Sequence, residues 1–124
     1  MAGEQVLVVE DNEKNMKLFR DVLEASGYRL LEATTGEEAL TLAADEQPNL
    51  VLMDIQLPDI DGIETLRRLR ADARTAATPV IALTAQAMQG DRERFLDSGF
   101  DGYISKPVDV LQLVATVRQH CSGE

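Results

Sequence analysis

Cysteine is nearly absent from this chain: Cys121 is the single one among 124 residues. No intramolecular disulfide can form, and a zinc site built on several cysteines is excluded. The lone histidine, His120, supplies neither a catalytic triad nor a metal pair. Long apolar runs are missing as well. Val6 to Val9 ends at Glu10-Asp11, lacks a basic flank and is too short for a signal-peptide core. Nothing approaches the ~20 apolar residues of a membrane span. Basic residues are scarce, with 12 Lys and Arg against 22 Asp and Glu, a net charge of -10. That excess repels phosphate backbones and anionic lipid, which argues against binding nucleic acid or a membrane surface, as the missing span argues against membrane insertion, and leaves the acids able to gather a cation. A cytoplasmic protein in a reducing compartment is the expectation.

The apolar fraction of 44% is enough for a core. The length suits one domain over 1–124, and without a linker or internal repeat no output domain is expected. Three short runs, Gln5–Val9, Leu50–Met53 and Pro79–Leu83, are rich in Val, Ile and Leu with little alternation. Strands buried on both faces read this way. Arg29–Ala33 and Asp101–Ile104 are weaker strand candidates, placed by their positions between helices.

Helical patterns separate these runs. Leu18, Phe19, Val22 and Leu23 recur at helical spacing before Gly27, a left-handed cap. Thr35 and Glu38 make a capping-box pattern ahead of Ala39, Leu40 and Ala43. Ile63, Leu66 and Leu69 form a stripe after Asp61-Gly62. Arg92 to Ser98 predicts a shorter helix closed by Gly99, and Val110, Leu111, Val114 and Val117 a final amphipathic one. The sum is β-α five times over. That predicts an α/β fold, a five-stranded parallel sheet with helices on both faces, in the flavodoxin-like order 2-1-3-4-5.

In such a sheet every strand points its C-terminal end at one edge, where ligands bind. Strand 1 ends in Glu10-Asp11, strand 3 in Asp54, strand 4 in Thr84, and strand 5 shortly before Lys106-Pro107. Singly, each has a plain structural use: acids at a helix N-terminus, a capped loop carboxylate, a strand-end hydroxyl, a solvated lysine. Together they place three carboxylates, a hydroxyl and an ammonium at one edge. Clustered carboxylates repel, and a hard divalent cation relieves them; oxygen donors without Cys or His point to Mg2+. A metal, an ammonium and a hydroxyl are suited to hold a phosphoryl group, and one carboxylate, best Asp54, can take it covalently.

These residues resemble the response-regulator receiver domains of two-component signalling along essentially the whole chain. The resemblance is carried by Val8-Val9-Glu10-Asp11-Asn12, Leu52-Met53-Asp54-Ile55-Gln56-Leu57-Pro58, Asp61-Gly62, Ala82-Leu83-Thr84-Ala85 and Ile104-Ser105-Lys106-Pro107. The segment from Glu10 to Tyr28, with the ISKP segment, is similar to DivK-type single-domain regulators of cell cycle and polarity in alphaproteobacteria. Receivers of hybrid kinases share the EDNxxN opening and remain an alternative, as does a stand-alone phosphorelay shuttle.

The resemblance implies that Asp54 is the phosphoacceptor, served by a phosphohistidine. Asp11 would hold magnesium directly, Glu10 through water, with Asp54 and the main-chain carbonyl of Gln56 as further ligands. Lys106 would pair with the phosphoryl oxygens, and its bond to Pro107 is expected to be cis. Thr84 and Tyr103 would form a switch that re-presents the surface between them. Gln56 and Gln86 would flank the path of attacking water. Partners would be a histidine kinase and either a histidine phosphotransfer protein or an allosterically regulated kinase.

On helix 1, Asn12, Lys14, Asn15 and Met16 lie near the site's rim, within reach of a donor domain, although Met16 also extends the apolar stripe. An aspartyl-nucleophile phosphohydrolase would want a second carboxylate where Gln56 stands. A flavin or dinucleotide carrier would want a glycine-rich phosphate loop, and no strand is followed by one. The chain is therefore read as a switch with only self-directed phosphotransfer and autodephosphorylation, not an enzyme, and with no organic cofactor site.

Overall fold

The computed structural model describes residues 3–85, 93–94 and 96–121. Within them lie β1 (Gln5–Val9), α1 (Glu13–Ala25), β2 (Arg29–Ala33), α2 (Gly36–Glu46), β3 (Leu50–Asp54), α3 (Gly62–Ala71), β4 (Val80–Thr84), β5 (Gly102–Ser105) and α4 (Val110–Cys121). The strands are all parallel and run β2-β1-β3-β4-β5. Glu93, Arg94, Leu96 and Asp97 have helical backbone. Arg92 and Gln86 lie outside the described residues, and with them the start of the helix expected from Arg92.

The apolar strands divide their side chains between two cores. Leu7, Val9, Val51, Met53, Val80 and Ala82 meet Ala39 and Ala43 of α2 and Leu66 and Leu69 of α3. Val6, Val8, Leu50, Leu52, Ile81 and Leu83 meet Met16, Phe19 and Leu23 of α1 and Leu113 and Val117 of α4. Successive strand residues face opposite ways, so a strand covered on both sides needs an unbroken apolar run. Met16 belongs to this core and not to the rim.

Caps set where the helices begin and end. Asn12 accepts from Asn15 N–H at the start of α1. At its end Gly27, at φ 93°, lets Tyr28 N–H reach Leu23 carbonyl and Gly27 N–H reach Glu24 carbonyl. Thr35 accepts from Glu38 N–H, but the Glu38 carboxylate returns to Thr34 N–H, one residue ahead of the box predicted.

Boundaries move by one residue in three strands, at the end of β3 and at both ends of β4 and β5. β3 includes Asp54, which pairs in register with Leu83. β4 begins after Pro79, whose carbonyl accepts from Val51 N–H. β5 begins at Gly102, because the Asp101 carboxylate takes Val80 N–H and turns the chain there. The final helix also differs in phase. Leu113 and Val117 are buried, while Leu111 is 82% exposed and Val110 partly so. At 3.6 residues per turn, Leu111 sits about 200° from Leu113, on the far side. The start of the turn is set by Asp109, whose carboxylate accepts from Leu111 and Gln112 N–H.

Candidate functional site

Parallel pairing brings Glu10, Asp54, Thr84 and Lys106 to one edge of the sheet. Glu10 follows β1 directly and its N–H donates to Ala33 carbonyl of β2 at 2.9 Å. Asp54 closes β3 and Thr84 closes β4. Lys106 follows β5, its N–H bonded to Thr84 carbonyl at 2.7 Å. The Lys106–Pro107 peptide is cis.

Glu10, Asp11 and Asp54 each offer a carboxylate oxygen, and the three oxygens lie within 4.8 Å of one another. Glu10 and Asp54 are buried and Asp11 is exposed. Lys106 Nζ stands between the two buried acids, 2.8 Å from Asp54 Oδ2 and 3.1 Å from Glu10 Oε1. The remaining Asp54 oxygen, Oδ1, accepts from Gln56 N–H at 2.9 Å. Glu10 Oε2 accepts from Asn12 N–H at 3.2 Å and from the Asn15 amide at 3.4 Å. The Asn15 side chain thus turns inward onto Glu10, a role the rim reading did not include, while Asn12 reaches it through its main-chain N–H and uses its side chain to cap α1.

Burial pushes the Glu10 carboxyl above its usual range, and the neighbouring Asp54 charge adds to this; Lys106 and Asn12 N–H pull the other way without cancelling it. Burial opposes the charge on Lys106, but Asp54 and Glu10 outweigh it and hold the ammonium above the ordinary lysine value. Two buried carboxylates therefore share one ammonium, and a third lies alongside. Among the described residues, a deficit of positive charge, an all-oxygen donor set and an exposed acid together fit a hard divalent cation such as magnesium.

Beside Asp54 is a cavity of about 110 Å³, lined by Asp54, Ile55, Gln56, Thr84, Ala85 and Lys106. One liquid water occupies roughly 30 Å³, so a phosphoryl group with a few waters fits there. Ala85, the smallest side chain in that lining, is exposed to solvent. Tyr103 is half-buried on β5, in register with Ala82 and packed on the α2–α3 core.

The loop between Asp54 and α3 is shaped by features that hydropathy does not reveal. Gly62 N–H donates to Ile55 carbonyl at 2.8 Å. A Cβ on Gly62 would lie 2.6 Å from Asp54 carbonyl oxygen, so only glycine allows this approach. Asp61 caps α3 through Glu64 N–H. Asp59, to which no role was assigned from sequence, reaches across to α2 and accepts from Gly36 and Glu37 N–H.

A buried acid–lysine–acid arrangement at the C-terminal edge of a 2-1-3-4-5 sheet defines a phosphoacceptor class of α/β domain. The chain belongs to the response regulator receiver domain family, whose model matches residues 6–118. It is 50% identical over 115 residues to the polar-differentiation response regulator DivK of Brucella ovis, covering 93% of this chain and 94% of that protein. The Brucella anthropi DivK matches with the same identity and coverage. Among solved structures it resembles the receiver domain of a Pseudomonas aeruginosa sensor histidine kinase, at 36% identity and TM-score 0.90, covering 98% and 99% of the two chains. That structure holds a magnesium ion in its active-site cleft. A Francisella response-regulator receiver domain matches at 30% identity and TM-score 0.91, covering 98% of each chain. Receiver domains are phosphoacceptor switches partnered by histidine kinases. Among the described residues, no helix is long and apolar enough to cross a membrane.

Proposed function

We propose that this chain is a cytoplasmic, DivK-like response regulator in which Asp54 accepts a phosphoryl group from a kinase phosphohistidine. The observation that carries this is the Lys106 ammonium, 2.8 Å from Asp54 Oδ2 at the wall of the cavity. Asp11, Glu10 through water, Asp54 and the Gln56 carbonyl would hold magnesium, which when bound offsets the charge of the incoming phosphoryl oxygens. Asp54 attacks phosphorus, the P–N bond to histidine breaks, and the imidazole leaves with a proton from water. Gln56 N–H keeps one Asp54 oxygen oriented, so the other faces Lys106 and the entering group. Lys106 follows the charge from carboxylate to phosphoryl oxygen.

Phosphorylation adds charge and acceptor oxygens beside Thr84, whose hydroxyl becomes a partner for them. Tyr103 responds behind it, and the surface between these residues changes. The 50% identity to DivK regulators over 94% of their length supports a role in cell-cycle or polarity signalling. Output would then pass to a partner, either a histidine phosphotransfer protein or an allosterically regulated kinase. The reading is tested by incubating the protein with acetyl phosphate and magnesium. Intact mass should rise by one phosphoryl group, and Asp54→Asn should abolish the gain. An unchanged wild-type mass would refute it.

A further inference from the structure

The turn after Asp54 is tied down at a point remote from the reacting atoms. Its base closes through Gly62 N–H on Ile55 carbonyl. Its tip is held by Asp59, whose two carboxylate oxygens accept from Gly36 N–H at 2.8 Å and Glu37 N–H at 2.9 Å, the first donors of α2. These are helix-terminal N–H groups that have no partner within the helix, and their field favours an anion. The Glu37 and Gly36 N–H groups hold the Asp59 carboxyl down at about 2. The helix has its own side-chain cap, Thr35 on Glu38 N–H, so Asp59 is an added clamp from another element. Ile60 lies so close to Gly36 that any side chain there would collide with it.

Three residues before Asp59 is Gln56, whose N–H orients Asp54 and whose carbonyl is the main-chain ligand proposed above. We propose that Asp59 is a positioning residue for the metal and phosphoacceptor, holding the Gln56 backbone in place by clamping its loop to the N-terminus of α2. This rests on the site reading given above. Asp59 touches neither the cation nor the phosphoryl group; it acts through the loop.

The test is magnesium binding to the full chain by titration calorimetry, without any phosphodonor. Asp59→Ala should raise the Kd for magnesium about tenfold, the lower end of what losing an outer support of a ligand costs. Thr35→Ala, which removes the other cap of the same helix, should leave it unchanged. Asp59→Asn keeps one acceptor and should fall between, and it decides the matter if Asp59→Ala does not fold. Wild-type affinity in Asp59→Asn and in any folded Asp59→Ala overturns the inference alone. An equal loss in Thr35→Ala also overturns it, since helix fraying would then be the cause. Wild-type protein that binds no magnesium overturns the site reading, and this inference with it.

Discussion

Lys106 Nζ lies 2.8 Å from Asp54 and 3.1 Å from Glu10, and so is the shared counter-ion of two acids at the ends of different strands. Glu10 is only 1% exposed, whereas a fifth of the Lys106 side chain still meets water. Lys106→Met leaves two buried carboxylates facing each other. Breaking a buried pair this way should cost about 3 kcal/mol, the lower end of the usual range because Lys106 is partly wet. Magnesium should recover more stability in this variant than in wild type, since it replaces the missing charge. Urea denaturation with and without the metal measures both effects. A variant as stable as wild type in metal-free buffer contradicts the shared-ion account.

The Glu10 carboxyl sits above its ordinary 4.5 because of burial and Asp54. The folded state thus keeps a proton that the unfolded chain releases. Its contribution to stability is full below pH 4.5 and declines as pH rises through the raised value. Asp59 and Glu64, both lowered to about 2 by the N–H and guanidinium groups they face, act in the opposite direction. Their contributions are present above 3.8 and 4.5 and are lost as pH falls toward 2. Glu10→Gln should therefore flatten the decline above pH 4.5 and leave the acid limb alone. Denaturation across pH without metal tests this, and an unaltered decline would assign it to another group.

Gly62→Ala would put a Cβ 2.6 Å from Asp54 carbonyl oxygen and 2.8 Å from Ile55 Cα. Both are backbone atoms with no rotamer to yield. The strain should cost about 1–3 kcal/mol, and relieving it shifts the loop that orients Asp54. Labelling by acetyl phosphate should slow along with the loss of stability. Full labelling rate in a destabilised variant would separate loop geometry from phosphoryl acceptance.

The phase of α4 gives a paired comparison. Leu113→Ala empties a fully buried position and should cost about 2–5 kcal/mol. Leu111→Ala changes an 82% exposed side chain. Its effect should stay within about 0.5 kcal/mol. Equal effects on thermal or chemical denaturation would mean that the helix is rotated from the orientation described.

Much of the fold was legible because a strand covered on both faces must be apolar throughout. That requirement marked β1, β3 and β4 directly. The strand ends were less legible, since Asp54 and Thr84 are polar residues continuing apolar runs, and only ladder hydrogen bonds include them. The final helix misled for a related reason. Val110, Leu111, Leu113, Val114 and Val117 allow more than one apolar face, and Asp109 capping together with sheet contact selects Leu113 and Val117.

Glu10, Asp11, Asp54, Thr84 and Lys106 could be named in advance because each follows or closes a strand, and parallel strands deliver such residues to one edge. Asp59 could not. Its partners lie 22 and 23 residues away at the start of a different helix, and no local pattern encodes that distance. Nor could the inward turn of Asn15 onto Glu10 be read from a helix face that otherwise faces solvent.

By itself, the order of apolar runs and helical stripes determined the layered sheet, and the polar residue ending each run determined which groups meet at its edge. Hydropathy carries that information because burial on two faces leaves so few acceptable side chains. Only the tertiary structure decided that one ammonium serves two buried acids, that the loop after Asp54 is tied to α2 through Asp59, and which side of the last helix faces inward. Those outcomes depend on distances between segments far apart in the chain, which arise only once packing has closed them.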